Sequence, residues 1–293
     1  MILNRKTPVT KILAVIDPRE SRHHALERCK QQPAELDLDI HAVLFVEHES
    51  AEKFATIFKE RTAWLAEQVT PYIADGFTIT CEVVPFTSLY KSVIEVAGKH
   101  GVDFVIKPMR QHSLFQTVIR TSTDWNLIRH CPFPLLLVSE LDSTRGKPIL
   151  AAIDVRSGDD NHDTLNTVVL KQALRLSEVL DSETHITTAF NMPTPMAAVG
   201  SVDATPYPTA SDIMKDHSKG VAEILGDTKV AEVHVEEGSP AYAINTVANR
   251  IGAGVIVIGT VARKGIKGAV IGNTAEGVLE AAKCDVLVVK LPE

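Results

Sequence analysis

Aromatic residues make up only 5% of this 293-residue sequence, and cysteine occurs just four times. Cys29, Cys81, Cys131 and Cys284 lie far apart and form no Cys-x-x-Cys pair. Reduced, mostly buried thiols in a reducing, cytoplasmic setting are therefore expected. Cys131-Pro132-Phe133-Pro134 reads as a stiff approach to a strand and not as a redox site. Positive charge is in deficit: 30 Lys and Arg stand against 37 Asp and Glu, a net charge of −7. That balance lacks the basic stripe a nucleic-acid partner requires. The N-terminal MILNRKTPVTK has no apolar signal core, and KILAVID is too short to span a bilayer, so no membrane partner is expected. The eleven histidines show neither His-x3-His nor His-Glu-x-x-His spacing, which argues against structural zinc. His23 and His24 are adjacent and cannot converge on one ion from a helix. Gly-x-Ser-x-Gly and a full Walker A sequence are also missing. No metal ligand and no catalytic residue is assigned.

What is present is an apolar fraction of 45% and length for about two domains, enough for two packed cores. The chain repeats itself. Lys11–Asp17 (KILAVID) reads like Pro148–Asp154 (PILAAID), an offset of 137 from Asp17 to Asp154. Further on, Gly101–Ile106 matches Gly252–Val257 and Leu135–Val138 matches Val286–Val289, both at an offset of 151. The second copy has thus gained about 14 residues between its first and fourth strands. The Pro-, Ala- and Thr-rich stretch Asn191–Thr209 is the natural place for that gain, and reads as a surface loop. The expected domains are 1–140 and 147–293, joined by the polar linker Ser139–Lys147.

Within each copy short apolar runs alternate with helical periodicity. In the second, strands are expected at Ile149–Asp154, His185–Phe190, Val230–Val235, Val255–Ile258 and Val286–Lys290. Helices are expected at Asp163–Leu180, at Ser211–Leu225 with Ser211 or Asp212 as N-cap, after Gly238-Ser239-Pro240, and at Thr274–Ala282. The first copy follows with strands near Ile12–Asp17, Ile40–Val46, Thr78–Val83, Phe104–Ile106 and Leu135–Val138, and a long helix from Glu52 to Ile73. Such alternation defines an α/β fold: in each copy an open, five-stranded parallel sheet with helices on both faces. Ligands of such sheets sit beyond the C-terminal strand ends, where the strand order switches.

After the fourth strand of the second copy comes Gly259–Thr274 (GTVARKGIKGAVIGNT), rich in glycine and cations and leading straight into a helix. Glycines let backbone N–H groups approach an anion, and the helix N-terminus adds partial positive charge, so the segment suits a phosphate. A plain crossover turn with solvated lysines is the competing reading. The whole layout resembles the universal stress protein family in its tandem form, and Lys107-Pro108, Thr123–Ile128, Glu237–Pro240 and Gly272–Glu276 point to the tandem subgroup. Members that bind ATP carry Gly-x2-Gly-x9-Gly-(Ser/Thr) at this place. Gly259 and Gly272 fit; Ala262 replaces the second glycine and Asn273 the hydroxyl residue, with Thr274 next in line.

The resemblance implies two Rossmann-like domains of the adenine nucleotide alpha hydrolase-like type, related by a pseudo-twofold axis and paired through Leu135–Val138 and Val286–Val289, with further homo-oligomers open. It also implies a nucleotide site. Asp154 would face the adenine, with Ala189 touching the base through its backbone and Ile258 preceding the loop. Gly259, Val261, Ala262, Arg263, Gly272, Asn273, Thr274 and Ala275 would surround the phosphates. The ligand would be ATP or another adenine nucleotide, with or without Mg2+. In the first copy Gly259 falls on Pro108, Ala262 on Gln111, Gly272 on Thr121 and Asn273 on Ser122, with no glycine from Pro108 through Thr123. Pro108 also has no N–H to donate. That copy is expected not to bind ATP in the family manner; Lys107, Arg110, His112 and Arg120 would be a residual polar site or, more simply, solvated surface. The implied role is a stress-response protein supporting survival under starvation or DNA-damaging stress. The alternatives are a slow ATPase, for which Asp285 and Glu276 are near the loop in sequence but nothing aims them, and a scaffold for an apolar metabolite.

Overall fold

Apolar runs of four to seven residues, too short for helices, are buried on both faces and set the central strands. The computed structural model describes residues 9–32, 36–47, 51–109, 122–140, 143–155, 160–192, 208–260 and 272–291. The first half runs β1 (Thr10–Ile16), α1 (His24–Lys30), β2 (Leu38–Glu47), α2 (Ala51–Ala74), β3 (Thr78–Phe86), α3 (Leu89–His100), β4 (Phe104–Pro108), α4 (Ser122–His130) and β5 (Leu135–Val138). The second runs β6 (Ile149–Ala152), α5 (Asp160–Leu180), β7 (Thr184–Phe190), α6 (Ala210–Leu225), β8 (Glu232–Glu237), α7 (Pro240–Ile251), β9 (Val255–Gly259), α8 (Asn273–Ala281) and β10 (Asp285–Val289).

The order across the sheet is β3-β2-β1-β4-β5-β10-β9-β6-β7-β8, ten strands in one sheet. Within each half neighbouring strands are parallel; at the centre β5 and β10 pair antiparallel, Leu135 opposite Val288 and Leu137 opposite Val286. The edges expected to cover each other do so, and the halves fuse by hydrogen bonding as well as packing. Two packed cores are found on one face of the sheet only. There Ile12, Leu26, Ile40 and Leu65 form one cluster, and Ile149, Leu165, Val169 and Ile186 another. On the opposite face a single apolar layer runs through both halves, from Leu13, Val43, Val93 and Leu127 to Leu150, Ile244, Val278 and Val286. The antiparallel seam keeps that face continuous, so α3, α4, α7 and α8 share one core.

Local chemistry shifts some expected boundaries. Helix α6 is capped by Thr209, not by Ser211 or Asp212. The Thr209 hydroxyl accepts from the Asp212 N–H at 3.2 Å, and the Asp212 carboxylate accepts from the Thr209 N–H at 3.0 Å, a reciprocal capping box. Strand β8 runs two residues later than expected because its register is fixed by β7, His185 opposite Glu232 through Phe190 opposite Glu237. Helix α7 opens as expected, with the Ser239 hydroxyl accepting from the Tyr242 N–H and Pro240 in the first turn. The linker is docked: Thr144 donates through N and Oγ1 to Gln31 Oε1, each at 2.9 Å. Most of the Asn191–Thr209 stretch lies outside the described residues. No described helix is long and apolar enough to cross a membrane. Cys29, Cys131 and Cys284 are buried free thiols and Cys81 is exposed; burial pushes Cys29 and Cys284 up to about 12, which leaves them unreactive thiols at neutral pH.

Candidate functional site

Strand order in the second half switches at β6, which leads to β7 on one side and pairs with β9 on the other. The crevice between β6 and β9 at their carboxyl ends is where open α/β sheets receive ligands. Ala152 lies opposite Thr187, and Ala151 opposite Val257. Continuing the register brings Asp154 level with Ala189 on one side and Thr260 on the other. Asp154 is exposed, and its main chain is clamped by buried Asn166. The Asp154 N–H donates to Asn166 Oδ1 at 3.0 Å, and Asn166 Nδ2 donates to the Asp154 carbonyl at 2.7 Å. Asn166, on α5, was not singled out in the sequence, because a polar residue on an amphipathic helix looks like any other.

Ala189 and Ile258 are buried strand residues, Ile258 within the shared core layer. The two expected loop glycines differ in kind. A Cβ at Gly259 would fall 2.5 Å from Leu165 Cγ, so packing alone demands glycine there. Gly272 has φ −66° and ψ 141°, open to any residue, and no described atom lies within 4 Å of a Cβ built on it. It is the N-cap of α8, and no side chain among the described residues caps that helix. The amides of Asn273, Thr274 and Ala275 form its first turn, with the N-terminal end of the helix dipole behind them. Thr260 is buried beside β9, and its Oγ1 has no hydrogen-bond partner among the described residues. Val261, Ala262 and Arg263 lie outside the described residues.

The same place in the first half is filled by the chain itself. At an offset of 151, Lys107 corresponds to Ile258 and Asp124 to Ala275. Lys107 Nζ lies 2.7 Å from Asp124 Oδ1, with both side chains buried, and also donates to the Pro108 carbonyl at 3.0 Å. Lys107 is thus no solvated surface residue, contrary to expectation. Asp124 sits in the first turn of α4, where a carboxylate answers the helix N-terminus. Asp17, the counterpart of Asp154, is held by Arg19 through both carboxylate oxygens at 2.9 and 3.0 Å. Nearby Glu20 is pushed up to about 7, first by burial and then by the Asp17 carboxylate. Arg110, His112 and Arg120 lie outside the described residues.

Fold and crevice define a tandem α/β protein in which the first half places a buried Lys107–Asp124 pair at the helix terminus beside its crevice. A sequence model of the universal stress protein family matches residues 8–139 and again 147–290, and the chain belongs to that family. It is 32% identical to Universal stress protein E of Salmonella typhi over 96% of this chain and 94% of that one. It is 30% identical to Universal stress protein E of Escherichia coli K12 over 95% and 93%. Among solved structures, a putative universal stress protein from Pseudomonas aeruginosa UCBPP-PA14 superposes with a TM-score of 0.77 at 25% identity, covering 97% of this chain and 94% of that one. A universal stress protein from Archaeoglobus fulgidus shares the fold, with a TM-score of 0.68 at 18% identity over 96% and 98%.

Proposed function

We propose that the second half binds ATP or a related adenine nucleotide as a sensing or regulatory ligand, in a cytoplasmic protein that supports survival under starvation or DNA-damaging stress. The supporting observation is the contrast between the two helix termini at equivalent places. At α4 a buried Lys107–Asp124 pair occupies the position. At α8 the counterparts are Ile258 and Ala275, and the N-cap is a glycine that neither φ nor packing among the described residues requires. A glycine at this N-cap would let a ligand approach the backbone closely. Asp154, Ala189 and Thr260 at the strand ends would take the nucleoside side. Gly259 and the segment through Val261, Ala262 and Arg263 would wrap the phosphates, with Mg2+ neutralising them where present.

Calorimetric titration of the full chain with ATP tests this. About one site per chain is expected, weakened by Asp154→Ala and by Gly272→Val; absence of heat at millimolar ATP removes the reading. Hydrolysis is the weaker reading on specific grounds. Asp285 opens β10, at the strand end opposite the crevice, and is buried in an ion pair with Arg28, and Glu276 lies 3.8 Å from Arg129 across the half-to-half boundary. For an apolar metabolite, the cavity lined by Ile12, Phe104, Leu136, Leu176 and Leu287 is about 90 Å3, against the several hundred Å3 of ordinary small-molecule sites.

A further inference from the structure

The outer corners of the sheet, toward the amino ends of the strands and away from the nucleotide crevice, hold clusters that the proposed function does not use. In the first half His41 on β2 and Glu82 on β3 lie on the face covered by α3, whose last residue is His100. His41 Nε2 lies 3.0 Å from Glu82 Oε2, and His100 Nε2 lies 3.3 Å from the same oxygen. The two rings stack at 3.8 Å between centroids with 26° between planes. All three ligand atoms fall within 4.8 Å of one another.

Two imidazole nitrogens and one carboxylate oxygen are a donor set for zinc-class ions. With bonds of about 2.0–2.1 Å, neighbouring ligands of a tetrahedral zinc ion stand about 3.3 Å apart. The two imidazole nitrogens stand near that distance from Glu82 Oε2, at 3.0 and 3.3 Å, and a turn of the stacked rings would bring both lone pairs onto one ion. The surroundings orient the ligands as well. His41 Nδ1 sits 2.8 Å from Thr80 Oγ1, and donation there leaves the Nε2 lone pair turned toward Glu82. Lys99 Nζ holds the other carboxylate oxygen, Oε1, at 3.1 Å, which leaves Oε2 to the rings.

The second half carries a comparable group at the same corner, His185, Glu232 and His234, whose ligand atoms also lie within 4.8 Å of one another, but there the two rings bond to each other. His185 lies opposite Glu232 and two residues before His234 on the partner strand, as His41 lies opposite Thr80 and two before Glu82. His185 Nδ1 is 3.1 Å from His234 Nε2, and Arg250 Nη2 reaches His234 Nδ1 at 3.3 Å. A guanidinium only donates. His234 Nδ1 therefore accepts, its Nε2 carries the proton, and that proton is given to His185. The two rings are thus bonded to each other, with the Arg250 cation at one end. The position of His100, just before the helix-ending Gly101, is taken by Ile251 before Gly252.

We propose that His41, Glu82 and His100 bind one divalent transition-metal ion of the zinc class, with the fourth position open to water and the edge strand β3 pinned to β2 and α3. The sequence could not show this, since the ligands come from three separate elements and match no linear spacing. Titration of the chelator-treated full chain with ZnCl2, read by calorimetry, and with CoCl2, read by visible absorption, tests it. One equivalent per chain is expected, weakened at least tenfold by His100→Ala and by Glu82→Gln and unchanged by His185→Ala. Zinc should also raise the melting temperature of the parent chain and not that of His100→Ala. His100 is a partly exposed helix-end residue, so its replacement leaves a folded protein, checked by circular dichroism. The proposal is overturned by absence of zinc binding, by a site that survives both His100→Ala and Glu82→Gln, or by one lost in His185→Ala. ATP binding, measured separately, is independent of every one of these outcomes.

Discussion

The Arg28 guanidinium on α1 grips the Asp285 carboxylate at the start of β10, Nε to Oδ2 at 2.6 Å and Nη2 to Oδ1 at 3.2 Å, with both side chains buried. Ser139 adds its N–H and its hydroxyl to Oδ1 at 2.8 and 2.7 Å. One acid of the second half is thus satisfied by two residues of the first. Removing one partner strands the other charge in the interior. Asp285→Ala is expected to cost about 3–5 kcal/mol in urea unfolding. Arg28→Met combined with Asp285→Leu should recover much of that loss, because an apolar pair leaves no buried charge behind.

The closed site of the first half gives a parallel test. Asp124→Ala leaves Lys107 buried beside α4, and a loss of about 3–5 kcal/mol is expected. Lys107→Ile together with Asp124→Ala installs the residues found in the second half, Ile258 and Ala275. That double variant should be markedly more stable than Asp124→Ala alone in the same unfolding assay.

The reverse exchange addresses function. Ala275→Asp places a carboxylate in the first turn of α8, where Asp124 stands in α4. If an anionic ligand docks there, ATP affinity should fall tenfold or more in calorimetry while the melting temperature changes little. An unchanged affinity would count against phosphate binding at this helix.

The two retained glycines should separate in stability measurements. Gly259→Ala drives a Cβ into Leu165 and is expected to cost about 1–3 kcal/mol. Gly272→Ala, with ordinary φ and no described neighbour in the way, should leave stability within about 0.5 kcal/mol of the parent.

Glu20 predicts a pH dependence. Its folded pKa is raised to about 7, by burial and then by Asp17. A raised acid favours the folded state at low pH, so this contribution is complete below its unfolded value and is lost as pH rises through about 7. Glu20→Gln should therefore be more stable than the parent at pH 8, by on the order of 1 kcal/mol after solvent screening, and the difference should vanish near pH 4. Thermal melts across that range read it directly.

Much of the fold was legible because buried parallel strands are written as unbroken apolar runs, and the duplicated KILAVID and PILAAID segments announce two copies. The edge pairing of Leu135–Val138 with Val286–Val289 was implied by the family resemblance, and strands β5 and β10 do pair. Contacts that depend on tertiary meeting were not legible. Lys107 looked like a surface cation and Asp124 drew no separate reading; only the fold brings them to 2.7 Å. His41, Glu82 and His100 share a corner through strand register and a helix end. Thr209 displaced Ser211 and Asp212 as the cap because its partner Asp212 lies three residues on, a reciprocal arrangement that composition alone does not rank.

The antiparallel seam between β5 and β10 has an evolutionary consequence. A protein assembled from two identical subunits must carry every substitution twice, so a pocket lost in one is lost in both. Here the partners are tethered in one polypeptide, at an effective concentration that no dilution lowers. Each half is free to drift alone, one placing a buried lysine and aspartate where its sibling carries isoleucine and alanine.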